Sequence, residues 1–116
     1  MKHYKRLLLE ALRANGWELK TRVEEADWWA EEHWHVHSVK ENWGFELVLS
    51  FMVDPQYEGD DKSRGIYEVV AATEQIRNGV TLEDSVIKMD LRKGIFDTKL
   101  VEFIGELNQR REIADS

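Results

Sequence analysis

The chain has 116 residues, enough for one ordinary domain and too few for two independent cores. Five Trp, three Tyr and four Phe, with a hydrophobic share of 42% against a charged share of 34%, exclude a disordered tail, and no apolar run approaches the roughly 20 residues of a membrane helix. The lack of cysteine excludes disulfides, thiolate metal sites, iron–sulfur clusters and cysteine nucleophiles, and the net charge of −7 disfavours nucleic acid as a partner.

Lys2, Lys5 and Arg6 lead into only three leucines before Glu10 ends the apolar run. We read this start as helix rather than secretory leader and expect a cytoplasmic protein. Tyr4, Leu7, Leu8, Ala11 and Leu12 form one helical stripe, so the first helix should cover about residues 2–14, with Gly16 as a left-handed stop. Trp17, Leu19, Thr21 and Val23 then alternate with Glu18, Lys20, Arg22 and Glu24, the period of a half-buried strand. The acidic stretch from Glu24 to Glu32, around Trp28-Trp29, has no clear period and is expected to be a connection. Residues 33–39 alternate again, and Lys40-Glu41-Asn42 joins them to the apolar run Trp43–Val53 as a hairpin. That run carries apolar residues on both faces, which suits a central strand.

Asp54-Pro55 marks the exit into a polar loop through Gly65, long enough to suggest a functional or mobile segment. Residues 66–77 mix strand and helix formers, and we favour strand; Asn78-Gly79 is a hairpin signal, followed by a strand with Ile87 and Met89 inward and Lys88 and Asp90 outward. Asp97 should cap a last helix in which Leu100, Val101, Phe103, Ile104 and Leu107 face inward. Phe96 and Val101 are spaced as a hydrophobic staple, and Arg110-Arg111 falls at the favourable C-terminal end. Short turns make antiparallel neighbours, and two amphipathic helices must bury their stripes. The expected fold is α+β, a single domain over residues 1–116: an antiparallel sheet of about five strands with an N-terminal and a C-terminal helix packed on one face. This succession resembles the secretion-chaperone type of fold in topology alone; no motif carries the likeness and no residue is transferred from it.

Charge is unevenly placed. Residues 1–17 carry +3, residues 18–61 carry −9 and residues 62–116 carry −1. Adjacent residues in regular structure point in different directions, so one of Trp28 and Trp29 should be partly exposed inside the most acidic stretch. An aromatic within a charged rim has the chemistry of a binding hot spot. The leading expectation is therefore a non-catalytic module for a basic protein partner, using Trp28, Trp29 and the carboxylates Glu24, Glu25, Asp27, Glu31 and Glu32.

The alternative centres on His33, His35 and His37, which share a face if extended. Two histidines at i and i+2 leave a strand about 6–7 Å apart and could hold one zinc ion, opening hydrolytic chemistry, whereas the outer pair is about 13 Å apart and would need a carboxylate to complete a site. The plain reading is a solvated face of an edge strand whose Trp34 and Val36 face the core. A third reading is a structural subunit that self-associates through the Phe45–Val53 strand, were it at an edge. Asp54, Glu58, Asp60 and Asp61 lack the spacing of a calcium loop and read as a solvated loop. No phosphate loop, nucleophile elbow or His-Glu-x-x-His pair occurs, so no enzyme class or cofactor follows.

Overall fold

The computed structural model of the chain describes residues 4–24, 29–40, 42–59, 62–73, 87–92 and 94–115. Helix α1 (Tyr4–Ala14) is followed by strands β1 (Trp17–Glu24), β2 (Ala30–Ser38), β3 (Glu46–Val53), β4 (Ile66–Ala72) and β5 (Ile87–Asp90), and by helix α2 (Phe96–Asp115). The five strands form one antiparallel meander in the order β1-β2-β3-β4-β5. This is the α+β architecture that the sequence pattern implies. Asn78-Gly79, Ser85 and the residues between Glu74 and Arg77 lie outside the described residues.

One core holds both helices to one face of the sheet. Tyr4, Leu8 and Leu12 of α1 and Phe103, Ile104 and Leu107 of α2 pack with Trp34, Val36, Leu49, Phe51, Val69, Ile87 and Met89. Along each strand these are alternate residues, so a single face meets the helices. The other face carries a smaller cluster of Ala30, Met52, Val70 and Ala72, with Trp29 and Tyr67 against it. β3 therefore buries both of its faces, which is why Leu47–Val53 is apolar at every position but Ser50. It is paired on both sides and offers no edge for self-association.

Three β-bulges interrupt the alternation. In β1, Leu19 pairs with Val36 and Thr21 with His35, leaving Lys20 as an extra residue. An extra residue reverses the phase of the pleat. Trp17 and Leu19 face the helices as expected, but beyond the bulge Thr21 and Val23 do not continue that row, and Arg22 takes the helix side beside Trp34. In β2, Ala30 pairs with Met52 and His33 with Ser50, so one residue is extra there too. In β4 the extra residue is Tyr67.

The two helix ends follow simple rules. Gly16 ends α1 with φ +79°, a left-handed conformation that a side chain would strain. Arg111 on α2 is buried, and its guanidinium donates to the carbonyl oxygens of Asn15 (3.0 Å) and Gly16 (3.2 Å) while lying over the Trp17 ring. It therefore caps the C-terminus of α1 rather than serving its own helix end, which continues to Asp115.

Asp97 sits in the first turn of α2 rather than ahead of it, since the Ile95 carbonyl already accepts from Lys99 N at 3.1 Å. Val101 is 73% exposed, so it is neither a core residue nor the partner of a staple with Phe96. The core stripe needs only Leu100, Phe103, Ile104 and Leu107. Leu107→Ala should lower stability by about 3 kcal/mol through cavity formation, whereas Val101→Ala should stay within about 0.5 kcal/mol, both read from urea unfolding midpoints.

Candidate functional site

The acidic residues singled out in the sequence do not form one open rim. The bulge at the start of β2 brings both Glu31 and Glu32 to Lys5 of α1. Glu32 is buried, with its carboxylate accepting from Trp34 Nε1 (2.7 Å) and Arg22 Nη2 (3.0 Å) and paired with Lys5 Nζ (3.1 Å). Burial opposes its ionisation, but the hydrogen bond from Arg22, the charge and hydrogen bond of Lys5 and the bond from Trp34 outweigh that cost and hold the carboxyl below the ordinary glutamate value. Lys5 also lies over the Phe51 ring, 4.8 Å from its centroid. Beside this network the Tyr4 hydroxyl is buried without a hydrogen-bond partner among the described residues, and burial, with Glu31 and Glu32 nearby, pushes its pKa well up. Glu32 is thus a structural anchor for α1 and not a surface that a partner can reach.

Glu24 is exposed at the end of β1, within 3.5 Å of Arg22. Trp29 is half-buried against the second-face cluster rather than standing free in an acidic rim. Glu25, Asp27 and Trp28 lie outside the described residues.

His33, His35 and His37 do share the second face, with Trp34 and Val36 turned to the core. β2 is not an edge strand, however, and His33 is not solvated: it is fully buried, with Nδ1 2.7 Å from Ser50 Oγ of β3. A solvated row of three histidines is replaced by one buried polar pair and two half-buried rings. No group of three His, Asp or Glu side chains among the described residues is placed to hold a metal ion.

Among the described residues an exposed tryptophan stands at the tip of the β2–β3 hairpin. Trp43 is 71% exposed and its ring meets His37 edge-on, with centroids 6.2 Å apart. Asn42 and Gly44 on either side of it have φ of 51° and 84°, and the turn is tied by Gly44 N to Ser38 O (3.0 Å) and Phe45 N to Asn42 O (3.0 Å). Gly44 has open space around it, so its φ and not crowding requires glycine. The backbone therefore aims Trp43 away from the core.

In register, Glu18, His37 and Glu46 stand side by side across β1, β2 and β3. Glu18 Oε2 is 3.6 Å from His37 Nε2, and Glu46 accepts from Lys20 at 2.6 Å. That hydrogen bond and charge hold the Glu46 carboxyl below its ordinary value, so it is ionised at neutral pH. The patch combines an exposed indole, an imidazole edge and two carboxylates. Trp43 is missed in the sequence because it opens an apolar run; its flanking Asn and Gly are the signal that it belongs to the turn.

No family model matches the chain, and no curated protein or solved structure matches it either.

Because the Glu32 pKa is depressed in the fold, its contribution to stability is present above the ordinary glutamate range and is lost as pH falls through the lowered value. Glu32→Gln should cost roughly 3 kcal/mol at neutral pH by leaving Lys5 and Arg22 without their shared anion, and should flatten the acid limb of the stability profile. Urea unfolding at a series of pH values down to about 2 checks this; an unchanged acid slope would show that the carboxylate is not the titrating group.

Proposed function

We propose that the protein is a non-catalytic binding module that receives a lysine or arginine side chain of a basic partner at Trp43. The observation that carries this reading is an indole 71% exposed against His37, which Glu18 and Glu46 flank in register. A cation over an indole face is attracted by the ring quadrupole, by roughly 0.5–2 kcal/mol depending on desolvation, and the adjacent carboxylates add charge-assisted hydrogen bonds. Lys20 competes for Glu46, so the incoming cation is directed to Glu18 and the indole face. The net charge of −7 adds long-range attraction for a basic partner.

This moves the recognition chemistry inferred from Trp28-Trp29 to a different tryptophan. The logic of an aromatic within carboxylates is the same; the location follows from the hairpin. A fluorescently labelled lysine-rich peptide, followed by anisotropy, should bind the wild type and lose about tenfold in affinity with Trp43→Ala and a few-fold with Glu18→Gln. Binding should weaken as salt rises from about 50 to 500 mM. Neither variant should unfold, since both side chains are largely exposed. Equal affinity of wild type and Trp43→Ala would refute the site.

A further inference from the structure

The opposite end of β3 carries a second arrangement that the cation site does not use. Beyond Val53 the chain leaves the sheet and returns as β4, and this loop is closed by Asp54 N donating to Gly65 O at 2.8 Å. Inside it, Gln56 N donates to Asp54 Oδ1 (2.8 Å) and Tyr57 N to Asp54 O (2.9 Å), so the turn is wound around Asp54. The Tyr57 ring lies so close to the backbone at Gly59 and Gly65 that neither position has room for a Cβ. A short 3-10 turn, Lys62–Gly65, completes the return.

Between this loop and the outer strands is an open cavity of about 340 Å³. Tyr57, Tyr67, Arg64, Arg92, Asp54 and Gln56 supply its side-chain chemistry. Tyr67 is the extra residue of the β4 bulge, and bulges re-aim side chains beside functional sites. Arg92 lies over the Tyr67 ring, 4.7 Å from its centroid, and donates to Asp54 Oδ2 at 3.2 Å. Its backbone is fixed by Arg92 N to Asp90 Oδ1 (2.7 Å) and by the neighbouring Leu91 N to Tyr67 O (2.9 Å). A guanidinium has five N–H donors. Asp54 is the one acceptor for the Arg92 guanidinium among the described residues, so a pre-oriented, half-exposed guanidinium retains donors for a ligand.

We infer that this cavity is a binding site for a planar aromatic anion of mononucleotide size. Among the described residues the lining carries the guanidinium groups of Arg64 and Arg92 and the carboxylate of Asp54, and Arg92 has donors beyond the one that meets Asp54. Planar guanidinium forks suit phosphate and carboxylate oxygens, and the Tyr57 and Tyr67 rings border the cavity, where a flat ring can meet them edge-on. The volume falls within the range of small-molecule sites, roughly 300–1,000 Å³, and is larger than a bare oxyanion needs. The inference is independent of the cation site, which sits at the other end of β3.

The probe is adenosine monophosphate, titrated into the full chain by calorimetry and by amide chemical shifts. Saturable binding is expected, with shifts concentrated at Asp54–Tyr57, Ile66–Tyr67 and Arg92. Arg92→Gln and Tyr67→Leu should each weaken it by about tenfold, and Arg92→Lys should also weaken it because the planar fork is lost while the charge is kept. Adenosine alone and inorganic phosphate alone should each bind at least about tenfold more weakly than the monophosphate. Amide spectra of the variants establish that each is folded before its affinity is compared. The inference is overturned by no saturation up to about 10 mM, by wild-type affinity in both Arg92→Gln and Tyr67→Leu, or by inorganic phosphate binding as tightly as the nucleotide.

Discussion

The buried guanidinium of Arg111 is the constraint on which the arrangement of elements depends. It donates to the carbonyls of Asn15 and Gly16, to Ser38 Oγ (3.4 Å) and to Asn108 Oδ1 (3.2 Å), and stacks over Trp17 at 4.6 Å. Those contacts join α2 to the end of α1, the start of β1 and the end of β2. Burying a charge is costly unless every partner is well placed, so the groups around it have little freedom to shift. The carbonyl end of α1 is also the negative end of its dipole, which favours a cation there. Asn108 reinforces the same junction by accepting from Trp17 Nε1 (3.0 Å) and donating to Asn15 Oδ1 (3.2 Å). Both helices are thereby fixed to one face, leaving the second face and the sheet ends for recognition.

A second ionic junction at the other end of α1 is a product of the bulges. Had β1 kept a strict two-residue period, Thr21 and Val23 would face the helices and Arg22 would face away. The extra residue at Lys20 brings Arg22 to the helix side, where Glu32 already stands two residues from Trp34, and the extra residue in β2 lets Glu31 join it at Lys5. One inserted residue per strand thus decides which charges are structural and which remain at the surface. Lys20 in addition places a cation on the outer strand, a feature that discourages pairing of a sheet edge with another chain.

Most of the fold is legible in the sequence because it rests on local signals. The stripe of α1, the Gly16 stop, the alternation around Trp34 and the largely apolar β3 each report the fold directly. Bulges are not legible, since they are defined by pairing with a neighbour that the sequence does not display. That is why Thr21 and Val23 depart from their expected surroundings, whereas His33 is buried because β2 is an inner strand. Val101 departs for a different reason: helical spacing admits more apolar residues than the core has room for. At the candidate sites, Trp43 is marked only by its flanking turn residues. Tyr57, Tyr67 and Arg92 come together through contacts between β3, β4 and β5 that no short-range pattern encodes.

The sheet itself explains why the two proposed sites sit where they do. Its helix face is consumed by the core, and the centre of the other face is buried at His33, Val48, Ser50, Met52 and Val70. Exposed aromatic and charged groups can then converge only where the strands end. At the hairpin end, the alternating β1–β3 register gathers Glu18 and Glu46 beside His37, whose ring meets Trp43. At the loop end, the turn around Asp54 and the β4 bulge gather Arg92 and two tyrosines. The eight residues of β3 separate these clusters by about 26 Å at the usual strand rise, several times the screening length of roughly 8 Å at physiological salt. The charges of one end are therefore largely screened from the other, so a ligand docking at either end is held by its local charge while the net charge acts only on the longer-range approach.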